Sequence, residues 1–393
     1  MNMRSKVLLV DDDPMELFVM ESVLKGLDIE IVRVDSGEKA IEATMKQNFA
    51  VILLDVRMPD INGFEVAKVI QSSPNNQNLP IIFVTSFDEQ KAVFAGYKSG
   101  AVDYIFKPFE PVILKSKVSV FIELEQKRLK LEQVNQQMIQ ELQQARRTQL
   151  SILPQRMPDN PYMKVHAMYK SVESVGGDFY NFIEFSDQRL GVVVADVTGH
   201  GVSAALISTM ASGLVDSMAK ESSSPAQLLL LLNELIYQRT SEESFITLVY
   251  AIIDPIDQSL IYASAGHRPI YIIRHATKTI DVLSKTDVIL GVFSDDSDDH
   301  VQYTDTKVSF AVGDRIFLYT DGIVEANNSK GGWYGTERLK QRCSEWFEKP
   351  LDLFLDNIFS EVLSFSSNSR LDDDVTLLGI DIVATPHSLS PAQ

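Results

Sequence analysis

Five polar residues stand where a series of amino-terminal apolar runs breaks off. Asp11 and Asp12 follow Val7–Val10, Asp55 follows Val51–Leu54, Thr85 closes Ile81–Thr85, and Lys107 follows Tyr104–Phe106 ahead of Pro108. Three carboxylates gathered at one place repel each other unless a hard cation sits among them, and Mg²⁺ takes oxygen ligands of this kind. Asp55 could then attack a phosphoryl donor, with the metal and Lys107 offsetting charge and Thr85 hydrogen-bonding one phosphoryl oxygen. Any one of the five alone reads as a helix cap or a turn residue. Five of them at the ends of apolar runs read as a site.

A second set lies further along the chain. Asp178 follows Gly176-Gly177, Asp196 opens Asp196-Val-Thr-Gly-His-Gly201, Asp321 sits in Tyr319-Thr-Asp-Gly322, and Asp373 lies in Leu371-Asp-Asp-Asp-Val-Thr376. Glycine at such positions lets backbone approach a cation closely. Four carboxylates without His or Cys partners select Mg²⁺ or Mn²⁺ over zinc. A pair of such ions can deprotonate a bridging water and brace a phosphoryl group for in-line attack.

The elements that must hold these groups follow from the apolar pattern. Val7–Val10, Ile29–Val34, Val51–Leu54, Ile81–Thr85 and Tyr104–Phe106 read as buried strands with helical patterns between them, which predicts a doubly wound five-stranded parallel sheet with its site at the carboxyl ends of the strands. From Pro111 to about Leu150 there is no Gly or internal Pro, so one long helix is expected. Beyond Pro158, β-like runs at Gly191–Ala195, Thr247–Asp254, Ser259–Ala263, Ile270–Arg274, Arg315–Thr320 and Val375–Val383 are interrupted by helical blocks at Ser203–Lys220 and Ala226–Arg239. Strands in clusters with helices grouped together predict an α/β/β/α layered sandwich. The domains expected are therefore 1–122, a helical linker 123–153, a second domain 154–384, and a disordered tail from 385 to 393.

The amino-terminal stretch resembles the receiver domain of two-component response regulators, through Val10-Asp-Asp-Asp-Pro14, Leu54-Asp-Val-Arg-Met-Pro-Asp-Ile-Asn-Gly63, Val84-Thr-Ser86 and Phe106-Lys-Pro-Phe109. The resemblance implies that Asp55 is the phosphoacceptor. It also implies that Asp11, Asp12 and Asp55 bind one Mg²⁺ with the backbone carbonyl of Arg57, and that Thr85, Tyr104 and Lys107 form the switch. A receiver reports phosphorylation by reshaping a face, so an output must follow it.

On the long helix, steps of seven from Leu124 give Leu131, Met138, Ala145 and Ile152, while the companion seam Phe121, Arg128, Asn135, Leu142 and Gln149 is mixed. A parallel homodimer through a coiled coil is the preferred reading, and a solvated spacer is the alternative. Ala145-Arg-Arg-Thr-Gln-Leu-Ser-Ile-Leu-Pro154 looks like the helix that leads into regulated bacterial serine phosphatases, where the pose of the linker sets activity.

The four aspartate motifs, with Ala265-Gly-His267, resemble the PPM-type metal-dependent serine/threonine phosphatases, in particular their bacterial RsbU/SpoIIE-like branch. By that resemblance Asp196 bridges two Mn²⁺ or Mg²⁺ ions. Asp178 and the Val197 backbone carbonyl hold one ion, Asp321 and Asp373 hold the other, and Gly177 and Gly199 shape the loops. Asp374 could reach a metal, but the family pattern assigns the residue before it. Thr198 stands where eukaryotic relatives place a general-acid histidine, which leaves His200 structural, and His267 is expected to stabilise a turn. No arginine precedes Gly176-Gly177 where those relatives clamp phosphate. Asn181 replaces a common acid, and the acidic stretch Asp295–His300 is expected to be a mobile flap.

The resemblances imply a response regulator whose phosphorylated receiver controls a protein phosphatase. Its partners would be a histidine kinase or phosphotransfer protein and a phosphorylated STAS-type anti-sigma factor antagonist. The competing reading is an RssB-like adaptor, whose phosphatase-like domain only binds; such a module has no need for all four aspartates. The acidic composition fits a metal-binding protein better than a nucleic-acid binder. Lys and Arg total 36 against 54 Asp and Glu, a net charge of −18, which disfavours nucleic-acid binding. One cysteine, Cys343, excludes an intramolecular disulfide and a thiolate zinc cluster. No apolar run approaches the roughly 20 residues of a membrane span, and none resembles a signal peptide, so a cytoplasmic location is expected.

Overall fold

The computed structural model describes residues 4–59, 61–86, 103–240, 244–294, 301–366 and 371–385. The acidic stretch 295–300 and the tail beyond 385 therefore lie outside the described residues. Two compact units divide between Ile139 and Gln140.

In the first unit, strands β1 (Ser5–Val10), β2 (Ile29–Val34), β3 (Val51–Asp55), β4 (Ile81–Ser86) and β5 (Asp103–Lys107) form a sheet in the order β2-β1-β3-β4-β5, with every pairing parallel. The central strands are apolar on both faces because helices cover both. Val7, Leu9, Leu53 and Ile82 face one core, and Leu8, Val10, Leu54 and Phe83 the other. Helices α1 (Pro14–Leu24), α2 (Gly37–Lys46) and α3 (Gly63–Ser72) start at side-chain caps from Asp13, Ser36 and Asn62. A Cβ on Gly63 would lie 2.3 Å from the Asp55 carbonyl oxygen, so only glycine lets α3 begin against the strand end that carries Asp55.

Helix α4 (Pro111–Ile152) runs unbroken for 42 residues. Its first turns bury Leu114, Val118 and Ile122 in the first unit, and its last turns set Leu150 against the core of the second. Between them the side chains are exposed, including Leu124 at 56%, Leu131 at 71% and Met138 at 58%.

The second unit holds two five-stranded antiparallel sheets. One has the order β13-β10-β9-β8-β7, from β7 (Phe179–Glu184), β8 (Leu190–Val197), β9 (Ile246–Asp254), β10 (Ser259–Ala265) and β13 (Thr306–Ser309). The other has the order β12-β11-β14-β15-β6, from β6 (Met163–Lys170), β11 (Ile270–Ile273), β12 (Ile280–Leu283), β14 (Arg315–Tyr319) and β15 (Val375–Ile382). Period-two alternation splits the second sheet between two cores. Ile270, Ile272, Ile316, Leu318 and Leu378 join the core shared with the first sheet and with helices α5 (Val202–Met218) and α6 (Pro225–Arg239). Tyr271, Ile273, Phe317, Tyr319 and Leu377 face the other way, onto α8 (Thr336–Trp346) and α9 (Leu351–Phe365).

The result is the expected layered sandwich, with a correction. The sequence pattern gave two helical blocks, whereas α8, α9 and the single turn α7 (Asp321–Val324) are present as well. Without α8 and α9 the outer face of the second sheet would be bare. Among the described residues, no helix is long and apolar enough to cross a membrane.

Candidate metal centres

At the carboxyl edge of the parallel sheet, ligand oxygens of Asp11, Asp12 and Asp55 lie within 4.8 Å of one another. β1 and β3 are neighbours, so the residues that end them must meet. Lys107, at the end of β5, reaches over both: its Nζ lies 2.7 Å from Asp11 Oδ2 and 2.8 Å from Asp55 Oδ1. Burial pushes the Asp55 carboxyl above its usual range, Lys107 opposes that rise, and the Asp11 charge adds to it. Burial would lower the Lys107 ammonium, but its two carboxylate partners outweigh this and raise it.

Thr85 is buried at the end of β4, and Tyr104 packs inward on β5, stacked on Phe83 with ring centroids 5.5 Å apart. The Arg57 guanidinium donates to Ser86 Oγ at 2.8 Å, a contact the sequence did not suggest. An all-oxygen set of close, self-repelling carboxylates fits one Mg²⁺.

The second centre draws on both antiparallel sheets. Asp178 precedes β7, Asp196 is near the end of β8, Asp321 opens α7 directly after β14, and Asp373 precedes β15. Asp178 is buried, and its Oδ2 accepts hydroxyl protons from Thr320 at 2.7 Å and from Thr376 at 2.8 Å. The Thr376 amide in turn donates to Thr320 Oγ1 at 2.9 Å. This network ties a loop of one sheet to two strands of the other.

Asp178 and Asp196 act on each other electrostatically. Burial raises the Asp178 carboxyl well above normal, and the Asp196 charge raises it further. Burial, then the charges of Asp321, Asp373 and Asp374, push Asp196 up to about 7. Asp373 is pushed up to about 6, again chiefly by burial. Asp178, Asp196 and Asp373, raised by burial and by neighbouring charge, would exchange protons for cations.

Asp374 has a different task. Its oxygens accept the amides of Val172 at 2.8 Å and Gly177 at 2.6 Å, so it fastens the loop ahead of Asp178 to the start of β15. A Cβ on Gly322 would lie 2.0 Å from the Asp374 carbonyl oxygen, and one on Gly177 2.8 Å from the Val197 carbonyl oxygen. Both glycines are therefore needed for close packing, and the second keeps the Val197 carbonyl beside Asp178. The donor set, carboxylates with one backbone carbonyl at hand, fits Mg²⁺ or Mn²⁺.

The neighbouring residues also have defined roles. Thr198 is held by the backbone of Phe245, its hydroxyl donating to the carbonyl at 3.0 Å. His200 is largely exposed, its Nδ1 2.9 Å from Glu173. His267 is buried with Nδ1 2.9 Å from Thr247 Oγ1. Burial, then the nearby Arg268 charge, lowers it to about 3, which keeps it neutral. Asn181 donates to Asp216 of α5, so it faces that helix rather than lowering the charge among the four aspartates.

Sequence reasoning gave no role to Thr320, Thr376, Arg268 or Glu325. The threonines lay inside quoted motifs and were visible there. Arg268 and Glu325, which form an ion pair beside Asp321, left no signal.

Comparison with known proteins finds relatives of both units. The family model for Stage II sporulation protein E (SpoIIE) matches residues 186–383, and that for the response regulator receiver domain matches residues 7–119. The phosphoserine phosphatase RsbU of Bacillus subtilis is 27% identical over 245 residues, covering 62% of this chain and 71% of that protein. The phosphoserine phosphatase RsbP of the same organism is 27% identical over 193 residues, covering 48% of this chain and 46% of its own length. The second unit shares its fold with the SiaA-PP2C domain of Pseudomonas aeruginosa, at a TM-score of 0.55 and 22% identity, covering 63% of this chain and 98% of that one.

Proposed function

Because the chain belongs to the SpoIIE family and carries a response regulator receiver domain ahead of its phosphatase domain, we propose that it is a phosphorylation-controlled, metal-dependent protein serine/threonine phosphatase. The observation that carries this reading is that burial raises Asp178, Asp196 and Asp373, that the Asp196 charge adds to the rise of Asp178, and that the charges of Asp321 and Asp373 add to that of Asp196. In this reading these four side chains, with the Val197 carbonyl, would hold two ions, with Asp196 shared between them. When bound, such ions supply an activated water and offset the charge on the phosphoryl oxygens. The chain's own part is to fix the ligands: Thr320 and Thr376 orient Asp178, and Asp374 holds the loop behind it. In this reading water attacks phosphorus and the seryl or threonyl oxygen leaves, with no phosphoenzyme at the four aspartates.

In the receiver, Asp11, Asp12 and the Arg57 carbonyl hold one Mg²⁺, and Asp55 takes a phosphoryl group from a histidine kinase or phosphotransfer protein. Lys107, already 2.8 Å from Asp55, offsets the added charge, and Thr85 and Tyr104 answer to it as the switch. The exposed Leu124, Leu131 and Met138 stripe of α4 pairs two copies into a coiled coil, through which the receiver acts on the phosphatase. The substrate class, a phosphoserine or phosphothreonine on a STAS-type anti-sigma factor antagonist, is supported by likeness to RsbU and RsbP, which are phosphoserine phosphatases.

The test is p-nitrophenyl phosphate hydrolysis with Mn²⁺ by wild type and Asp196→Asn, each with and without beryllofluoride as a mimic of phosphorylated Asp55. The reading expects metal-dependent turnover, absent from the mutant and altered by beryllofluoride. Folded protein with no turnover in any state would replace it with the adaptor reading.

A further inference from the structure

The phosphatase site is short of positive charge. Asp178, Asp196, Asp321, Asp373 and Glu325 together carry more negative charge than two divalent ions cancel, so a phosphate dianion meets net repulsion unless the chain adds a cation. Among the described residues, Arg268 is the cation that forms an ion pair with one of the four aspartates. Its Nη2 lies 3.7 Å from Asp321 Oδ2 and also bonds Glu325 Oε1.

The placement of Arg268 is built in. β10 ends at Ala265, and the chain turns through Gly266 at φ +65°, where a Cβ would lie 2.0 Å from Ile289 Cγ2. His267 is then buried against Thr247, the β9 residue paired with Asp196 across the sheet. The next residue is therefore aimed at the metal acids by the strand that carries the opposite side of the site. The contact to Asp321 is too long for a hydrogen bond, and the bond to Glu325 uses one donor of a guanidinium that has five. The remaining donors make no hydrogen bond among the described residues, and the side chain keeps 34% of its surface open.

We propose that Arg268 is the phosphate clamp of this chain: its guanidinium fork, anchored by Glu325 beside Asp321, binds the phosphoryl oxygens of the incoming phosphoserine or phosphothreonine. This deepens the phosphatase reading and rests on it. It also answers the missing arginine ahead of Gly176-Gly177, since a cation from the turn after β10 takes the place of one from the amino-terminal strand. A planar fork suits two phosphate oxygens better than an ammonium does.

The experiment uses the full chain with Arg268→Ala and Arg268→Lys. For Arg268→Ala, the KM for p-nitrophenyl phosphate and for a phosphoserine peptide, and the inhibition constant of inorganic phosphate, rise about 10- to 100-fold. kcat changes less, and the Mn²⁺ dissociation constant measured by calorimetry is unchanged. Arg268→Lys falls between the two. An unchanged KM and phosphate inhibition constant overturns the assignment, and so does a loss of Mn²⁺ affinity with a fall in kcat, which would make Arg268 a positioning residue for Asp321. If wild type hydrolyses neither substrate, the phosphatase reading itself fails. Calorimetric binding of inorganic phosphate in Mg²⁺ then decides: binding lost in Arg268→Ala upholds the clamp, and no binding by either protein overturns it.

Discussion

The Gly176 amide donates to Gln149 Oε1 at 3.0 Å, while the nitrogen of the same carboxamide donates back to the Gly176 carbonyl. Gln149 lies in the last turn of α4, and Gly176 is two residues from Asp178, so one side chain joins that helix to the loop bearing Asp178. Gln149 Nε2 also reaches Ser208 of α5 at 3.2 Å. Replacing Gln149 with Ala leaves the Gly176 peptide without these partners, a loss of about 1–3 kcal/mol at a half-buried position. The expected outcome is a phosphatase whose rate no longer changes on adding beryllofluoride. A beryllofluoride response equal to that of wild type would show that the helix communicates by another route.

Thr320→Val and Thr376→Val each remove one hydroxyl from Asp178 Oδ2 while keeping the shape of the side chain. Residues that orient metal ligands typically change affinity by about 10- to 100-fold when lost. Mn²⁺ titration by calorimetry should show a weakening of that order in each variant. Circular dichroism should confirm that the fold is kept.

Asp196 at about 7 and Asp373 at about 6 both sit above the ordinary carboxylate range. The sign follows from proton binding: between about pH 4 and pH 7 the folded state holds protons that the unfolded state has released, so stability falls as pH rises through this window. Thermal unfolding in a chelator should therefore give a lower melting temperature at pH 7.5 than at pH 5.5. Mn²⁺ should raise the melting temperature more at pH 7.5, where fewer protons compete for the same oxygens. Equal Mn²⁺ shifts at both values would contradict carboxylate ligation.

Incubation with a small phosphodonor such as acetyl phosphate in Mg²⁺ should label the chain with an acid-labile phosphate. Asp55→Asn should abolish the label, while Asp196→Asn keeps it. Label that persists in Asp55→Asn would move the phosphoacceptor elsewhere.

Leu131 and Met138 lie one heptad apart and are mostly exposed. The double change Leu131→Glu and Met138→Glu should halve the particle mass seen by light scattering if α4 pairs two copies. It should leave the secondary structure of each unit unchanged. A wild-type particle already of monomer mass would remove the coiled coil.

Much of this organisation is legible in the chain, and the exceptions share a physical cause. The three central parallel strands, β1, β3 and β4, are marked by apolar runs because helices bury both faces there, and the edge strands β2 and β5 still show short apolar stretches at Ile29–Val34 and Tyr104–Phe106. In the antiparallel unit, the strands that the pattern missed are β6, β7, β12 and β13, and each lies at an edge of its sheet. An edge strand pairs on one side only, and segments such as Thr306–Ser309 stay half solvated and carry no continuous apolar run. Helix α8, with Leu339 and Cys343 as its buried positions, has too narrow an apolar stripe to stand out. Three of the four aspartates stand out beside glycine or in an acidic run, and Asp196 stands out by the Asp196-Val-Thr-Gly-His-Gly201 motif it opens. Arg268 was not, because only the turn after β10 brings its side chain beside Asp321, far away in sequence.

Asp374 binds the Val172 and Gly177 amides across roughly half the length of the chain. β15, which follows it, pairs with both β6 and β14. During synthesis, residues 163 to 365 can emerge while the loop bearing Asp178 still lacks both Asp374 and the Thr376 hydroxyl. A ribosome that stalls before β15 would release a chain with most of the sandwich but no means of holding its first ligand. The contacts that fasten the loop bearing Asp178 thus form late in translation, and a chain released before β15 would lack them.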